Sequence, residues 1–295
     1  MKLSLLSAVR DEGLYIRQMI ESALSQSHED WELLFVDDGS SDETVAIIEE
    51  FAERDARVRL VEAQDAKGKV SAFNKAFAAS TGDVICIQGG DDLIPEGAFA
   101  ARVAPFSESP QGKVALFKLR TFSEDPKFDG MVLPKGESSS RSGGSLTMWR
   151  DLADRVFPIP ESLVAEDIWL SNALDAVAAT TVSRSDIVLD YRIHDGNSNP
   201  RNKPFHVMTE ASHLRHMAYE ELLRAEELPL RPDQERLFRT RLKIEHFRYE
   251  GPTWRILTVR EASWPDRLAS LSRAHPAFFA LRKRFYRVLS GLRGA

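Results

Sequence analysis

The chain has 295 residues, 43% of them hydrophobic and 28% charged, which is enough for one large domain or a domain with an extension. A net charge of −6 and an isoelectric point near 5.7 argue against general nucleic-acid binding. The single cysteine, Cys86, excludes a disulfide framework and a cysteine-built zinc site within the chain and fits the reducing cytosol. No apolar run approaches the roughly 20 residues of a membrane span, and Leu3–Val9 is too short for a secretory signal. The expected location is therefore cytoplasmic, at most peripheral at the inner face of the cell membrane.

In chain order, Leu3 to Val9 predicts a strand, and Tyr15 to Leu24, with Ile16, Met19, Ile20, Ala23 and Leu24 at helical spacing, predicts a helix. Trp31 to Val36 predicts a second strand, Glu43 to Glu53 a helix, Val58 to Ala63 a third strand, Val70 to Ala79 a helix and Asp83 to Ile87 a fourth strand. This alternation implies parallel strands with right-handed crossovers and helices on both faces. After Pro95 it breaks. Val114 to Leu119 reads as a strand and residues 123–145, rich in Ser, Gly, Pro and Lys, as a mobile loop. Leu146 to Arg155 and Ala165 to Ala176 read as helices, with a short strand at Ile187 to Tyr191. Long helical patterns follow from His206 to Glu227 and Asp233 to Glu250, with a last pair after Trp264. The expected division is 1–105 and 106–203 as two halves of one α/β domain, and 204–295 as a helical extension.

Two strand ends carry the chemistry. The apolar run ending at Val36 stops at Asp37, Asp38 and Gly39, and Ser41 or Asp42 is positioned to cap the next helix. The run ending at Ile87 stops at Gly89, Gly90, Asp91 and Asp92. Open α/β sheets bind ligands at the carboxyl ends of their strands. Paired carboxylates there fit a hard divalent cation and a polyhydroxylated, phosphorylated ligand.

Ser22-Ala-Leu-Ser-Gln26, Trp31-Glu32, Val36-Asp-Asp-Gly-Ser-Ser-Asp42, Lys67-Gly68, Asn74, Thr81-Gly82-Asp83, Asp91-Asp92 with Pro95, Glu166-Asp167 and Tyr191-Arg-Ile-His194 together resemble the family-2 glycosyltransferases of the GT-A fold. The likeness covers about residues 1–200. It implies a Rossmann-like, mixed, mostly parallel sheet flanked by helices. It also implies transfer of a sugar from a nucleotide-diphosphate donor, expected to be uridine-linked, to an acceptor hydroxyl with inversion. Two departures stand out: Ser7-Ala-Val-Arg10 replaces the usual Pro-x-Tyr-Asn, and Gly89 replaces the first aspartate of the metal motif.

On this resemblance Ser7, Val9, Asp37, Asp38, Lys67 and Asp91 contact the nucleotide, with Asp38 accepting from the base and Asp37 holding the ribose or adjacent backbone. For Asp37 to Asp42 the alternative is a turn and helix cap. Asp91, Asp92 and His194 are the candidate ligands of Mn²⁺ or Mg²⁺; a solvated turn and a structural histidine are the alternatives. Asp167 is the expected general base, with Glu166 as substitute, against a carboxylate merely favoured by a helix N-terminus. Arg192 is placed to pair with Glu166 or phosphate, and Asn74 matches the pattern without an assigned role. Lys67 and Lys69 neutralise phosphate or lie on a solvated turn.

The segment Phe278 to Arg293 holds Arg282, Lys283, Arg284, Arg287 and Arg293 with no acid. It reads either as a basic amphipathic helix contacting a membrane through residues 276–295 or as a packed helix with a solvated face. The expected acceptor is a glycan, a lipid-linked sugar or another hydroxyl compound of polysaccharide or glycoconjugate assembly. The rival reading is a non-catalytic nucleotide-sugar-binding or scaffolding module. A sugar nucleotidyltransferase would need a Gly-rich phosphate loop that Ser7 to Gly13 lacks.

Overall fold

A strand covered on both faces needs an unbroken apolar run, and the first two strands have one. A computed structural model describes residues 1–62, 67–126, 128–194 and 204–281. In it β1 (Leu3–Val9) pairs in parallel with β2 (Trp31–Asp37), in register from Leu3 opposite Trp31 to Val9 opposite Asp37. β3 (Val58–Leu60) extends this parallel group beyond β2, and β4 (Val84–Ile87) extends it on the free edge of β1. The crossovers are helices α1 (Ile16–Leu24), α2 (Thr44–Ala52) and α3 (Lys69–Ala79). A short helix α4 (Ala98–Val103) follows β4.

The second half of the sheet departs from the sequence expectation in three places. Leu146 to Arg155, expected as one helix, divides into strand β7 (Leu146–Trp149) and helix α5 (Arg150–Val156). β7 is antiparallel to both β4 and β5 (Lys113–Ser123), so Leu146, Thr147 and Met148 are buried. A short apolar run buried on both faces carries no periodicity to separate strand from helix. The expected five-residue strand at Ile187–Tyr191 is the inner part of β8 (Thr180–Ile193), fourteen residues parallel to β5. Its outer part is polar and exposed, and it pairs through the backbone without an apolar pattern to announce it. Residues 123–145 contain β6 (Val132–Leu133), antiparallel to β5, and a buried 3-10 turn at Gly143–Ser145. A backbone bond from Ser140 N–H to the Phe117 carbonyl, 2.7 Å, ties down a stretch whose composition suggested only a loop.

The sheet runs β3-β2-β1-β4-β7-β5-β6, with β8 on β5. Helix α6 (Asp167–Val177) precedes β8. One core joins Leu5, Leu33, Phe35, Ile20, Phe99 and Phe117. Inside it Arg102 is fully buried and donates to the Thr147 hydroxyl and the Gly144 carbonyl, at 2.9 and 2.6 Å. It ties α4 to β7 and the preceding turn.

The chain divides into two compact units, Met1–His194 and Asp195–Ala295. The described part of the second unit holds α7 (Phe205–Arg224), α8 (Pro232–Tyr249), a 3-10 turn at Thr253–Thr258 and α9 (Trp264–Leu271), with helix resuming at 276–281. Buried Glu245 and Arg248 of α8 pair with each other at 2.5 Å, and Arg248 reaches the Thr209 hydroxyl of α7 at 2.9 Å. Ile244, Ile256, Val259 and Ala262 form a small core. All five basic residues of the expected terminal amphipathic helix, Arg282 to Arg293, lie outside the described residues.

Candidate active site

Because β1, β2 and β4 are parallel, their carboxyl ends meet on one edge, and the following loops are sewn together by backbone amides. Asp38 N–H donates to the Val9 carbonyl at 2.9 Å, and the Asp38 carboxylate accepts Gly68 N–H, at the start of α3, at 2.7 Å. The Asp37 carboxylate accepts Gly39 N–H at 3.1 Å and Ser40 N–H at 3.0 Å, closing a turn whose Gly39 has a φ of 83°. Asp42 accepts Thr44 N–H at 3.0 Å at the first turn of α2, and Ser41 N–H is held by Asp11 at 2.7 Å. The N-cap residue of α2, Glu43, makes no side-chain capping bond, and it is Asp42, just before it, that holds the first helical residue. Beneath these loops Ser7 is fully buried, and its hydroxyl has no hydrogen-bond partner among the described residues; neither has the side-chain carbonyl of buried Gln88.

The acidic turn after β4 closes its two carboxylates over the position of the missing aspartate. A Cβ on Gly89 would lie 2.8 Å from Asp91 Oδ1 and 2.9 Å from Asp92 Oδ2. Both carboxylates crowd the space that a side chain at 89 would take. Asp92 is buried and accepts Arg192 N–H at 2.8 Å. Burial, and then the Asp91 charge, push its carboxyl well above the usual carboxylate range. His194 Nε2 lies 3.1 Å from Asp91 Oδ2, and its ring packs 4.8 Å from Tyr15. Arg192 donates to the Asp91 carbonyl at 2.7 Å and to Gln18 at 2.8 Å, between the rings of Tyr15 and Phe122.

Glu166, the residue expected to pair with Arg192, faces a different cation. It is buried, and Lys69 Nζ lies 3.2 Å from both its oxygens. Burial alone would lower the lysine's pKa, but Glu166, then Asp167 and Asp91, hold it above the usual lysine range. Lys69 thus stands among the acids of α6 and of the β4 end. Asp167 is half-buried at the first turn of α6, one carboxylate oxygen accepting its neighbour Ile168 N–H at 2.9 Å. Lys67 remains exposed on the turn before α3. Asn74 spends both ends of its amide on Ile159, donating to its carbonyl and accepting its N–H, each at 2.8 Å. That contact clamps α3 to the loop before α6.

Glu12 escaped the sequence reading. Burial, then Asp91 and Asp42, push its carboxyl up to about 7. A Cβ on Gly90 would stand 3.2 Å from its side chain, so Glu12 lines the same turn as Asp91. The available signal was its place just after the strand end at Val9, where the sheet's ligand edge begins.

Among the described residues no three His, Cys, Asp or Glu side chains form a ready metal cluster. Two carboxylates converging on one point with an imidazole beside them nevertheless fit a hard divalent cation that completes its shell with phosphate and water. Their crowding, and the raised Asp92 carboxyl, are what a cation there would relieve.

The sequence profile of glycosyl transferase family 2 matches residues 4–156. The O-antigen biosynthesis protein RfbC of Myxococcus xanthus is 34% identical over 111 residues, 37% of this chain and 9% of that protein. Across the first curated relatives the match spans at most 37% of their length. Staphylococcus aureus TarS, residues 1–349 in complex with UDP-GlcNAc, superposes with a TM-score of 0.63 at 17% identity, over 94% of this chain and 82% of that one. The mannosyltransferase PcManGT of Pyrobaculum calidifontis, in complex with GDP-Man and Mn²⁺, gives 0.60 at 17%, over 97% and 79%. The fold is the GT-A fold these structures share.

Proposed function

The chain belongs to glycosyl transferase family 2, and from that premise we propose that it moves one sugar from a nucleoside-diphosphate donor to an acceptor hydroxyl in glycan assembly. One observation carries this reading: Asp38, Asp91, Asp92, Glu12, Lys69 and the Glu166-Asp167 pair gather at one sheet edge around the ends of β1, β2 and β4. The uridine donor remains the reading of the sequence, and the nucleotide sugars in the two neighbouring structures support the donor class.

Ser7 on β1 and Gln88 just after β4 leave buried polar atoms at the sheet edge that would receive the base and ribose. Asp91 and Asp92 would hold a divalent cation, with His194 beside them; bound there, it would supply Lewis-acid charge to the departing diphosphate. Lys69 places a fixed positive charge between the acidic turn and α6, where negative charge develops on the leaving group. Glu166 is engaged in orienting that lysine, and Asp167, half-buried on the first turn of α6, is the carboxylate assigned to take the acceptor proton. A hydroxyl attacking from that side displaces the diphosphate from the opposite face, which inverts the anomeric centre.

Calorimetric and thermal titrations with UDP test the metal part. Stabilisation is expected to be weak alone and clearly larger with Mn²⁺ or Mg²⁺, and Asp91→Ala is expected to abolish that metal-dependent gain. Equal UDP affinity with and without metal in both proteins would sink the assignment.

A further inference from the structure

Helix α9 packs Leu271 on the small core of its unit but otherwise inverts the usual pattern. It buries Arg267 and Ser270, at 9% and 4% exposure, and presents Trp264 and Leu268 to solvent, at 60% and 55%. Trp264 and Leu268 are four residues apart and share one helix face. The inversion is fixed from within. Arg267 donates to the carbonyls of Ala262 and Leu257, at 2.9 and 3.0 Å, and its guanidinium lies 5.0 Å from the Trp264 ring. One guanidinium thus meets both the Leu257 carbonyl and the Trp264 ring, so the 3-10 turn Thr253–Thr258 packs against α9 beside Trp264, and it contributes Trp254, 61% exposed, and the exposed Leu257. Leu237 of α8, Phe278 and Leu281 are exposed in the same unit. Single exposed apolar side chains are ordinary, but two exposed tryptophans on adjoining elements are not, and Trp31 and Trp169 of this chain are both buried.

The charge of this region selects the occupant. Residues 252–295 hold eight arginines and one lysine against two acids, in a chain whose net charge is −6. Those two acids are already countered: Glu261 lies 3.5 Å from Lys243, and Asp266 lies 3.9 Å from Arg241. Arg255 and Arg260 are exposed, and in an open groove along α8 Arg236, Arg239 and Lys243 outnumber Glu235 and Glu261. Tryptophan and leucine interleaved with arginine match the boundary between headgroups and acyl chains, where indole rings settle and guanidinium groups meet phosphate. No described helix is long and apolar enough to cross a membrane.

We propose that the face built by the 3-10 turn Thr253–Thr258 and α9 docks the second unit on the surface of an anionic lipid bilayer. Trp254, Trp264 and Leu268 enter the headgroup boundary, and the surrounding arginines meet lipid phosphates. The tryptophans supply insertion, and the exposed Arg255 and Arg260 supply charge.

The test uses the full chain with vesicles of phosphatidylcholine, with and without about 30% phosphatidylglycerol. Sedimentation should show partitioning to the anionic vesicles, falling roughly tenfold or more between low and high salt. Tryptophan emission should shift to the blue on binding. The triple variant Trp254→Ser, Trp264→Ser, Leu268→Ser should lose at least about tenfold in partitioning. Its far-ultraviolet circular dichroism and its stabilisation by UDP should not change, because these side chains are exposed and lie in the second unit. Removal of residues 282–295 should weaken binding yet keep the blue shift. Three outcomes overturn the proposal: no binding to anionic vesicles; equal binding by the triple variant; or a concentration-dependent dimer that the triple variant abolishes while no vesicle binding is seen, which would make a second copy of the chain the occupant.

Discussion

The neighbours Glu166 and Asp167 divide their labour by burial. Glu166 is buried against Lys69, whereas Asp167 is half-exposed on the helix start. Asp167→Asn keeps the shape but cannot accept a proton, so turnover should fall about 10²–10⁴-fold with UDP affinity nearly unchanged. Glu166→Gln should instead leave Lys69 without its buried counter-charge. It should weaken donor binding and lower the melting temperature, at a cost of about 1–3 kcal/mol. Transfer rates and UDP affinities of the two variants decide the roles; an active Asp167→Asn beside a dead Glu166→Gln would reverse them. Gly89 belongs to the same scale. It reads from sequence as a lost ligand, but in space it is the gap into which two carboxylates close.

At the scale of elements, the β1–β2–β4 group is locked at its amino end by one buried carboxylate. Glu32 accepts from Ser4 Oγ at 2.7 Å, from Thr81 N–H at 2.6 Å and from Lys2 Nζ at 2.9 Å. Burial would raise its pKa, but the Thr81 amide, Lys2 and Ser4 together hold it at about 2. A depressed folded-state pKa stabilises the fold above the ordinary carboxylate range, and that contribution is lost as pH falls from about 4.5 through about 2. Glu32→Gln should therefore be less stable than the parent at neutral pH, by on the order of 2 kcal/mol. The gap should close toward pH 2 in denaturant titrations run across that range. A gap independent of pH would show that shape, not charge, holds the strands. Asn74 plays the matching role farther along, joining α3 to the loop before α6 and so fixing Lys69 relative to Glu166.

At the scale of the molecule, residues 1–194 contain the whole sheet, its core and every candidate site residue. A fragment of residues 1–194 should therefore unfold cooperatively and retain UDP stabilisation with Mn²⁺, as circular dichroism melts would show. A fragment that melts without a transition would mean that the second unit completes the fold. The strands and helices up to Ile87 were legible in the sequence, because fully buried parallel strands leave apolar runs and crossover helices leave a 3.6-residue period. The aspartates at strand ends were legible for the same reason: the run stops where the ligand edge begins. Beyond Pro95, tertiary pairing decided the elements. Leu146–Trp149 is a strand because β4 and β5 each offer it a free edge, and the polar outer half of β8 is a strand because β5 lies beside it. Backbone hydrogen bonds to a neighbour leave no trace in side-chain periodicity. The pairing of Lys69 with Glu166 across 97 positions, and the meeting of Asp91 with Glu12 and His194, likewise depend on which chain segments the sheet brings to one edge. The sequence determined which residue types the site holds; only the fold decided which of them face one another.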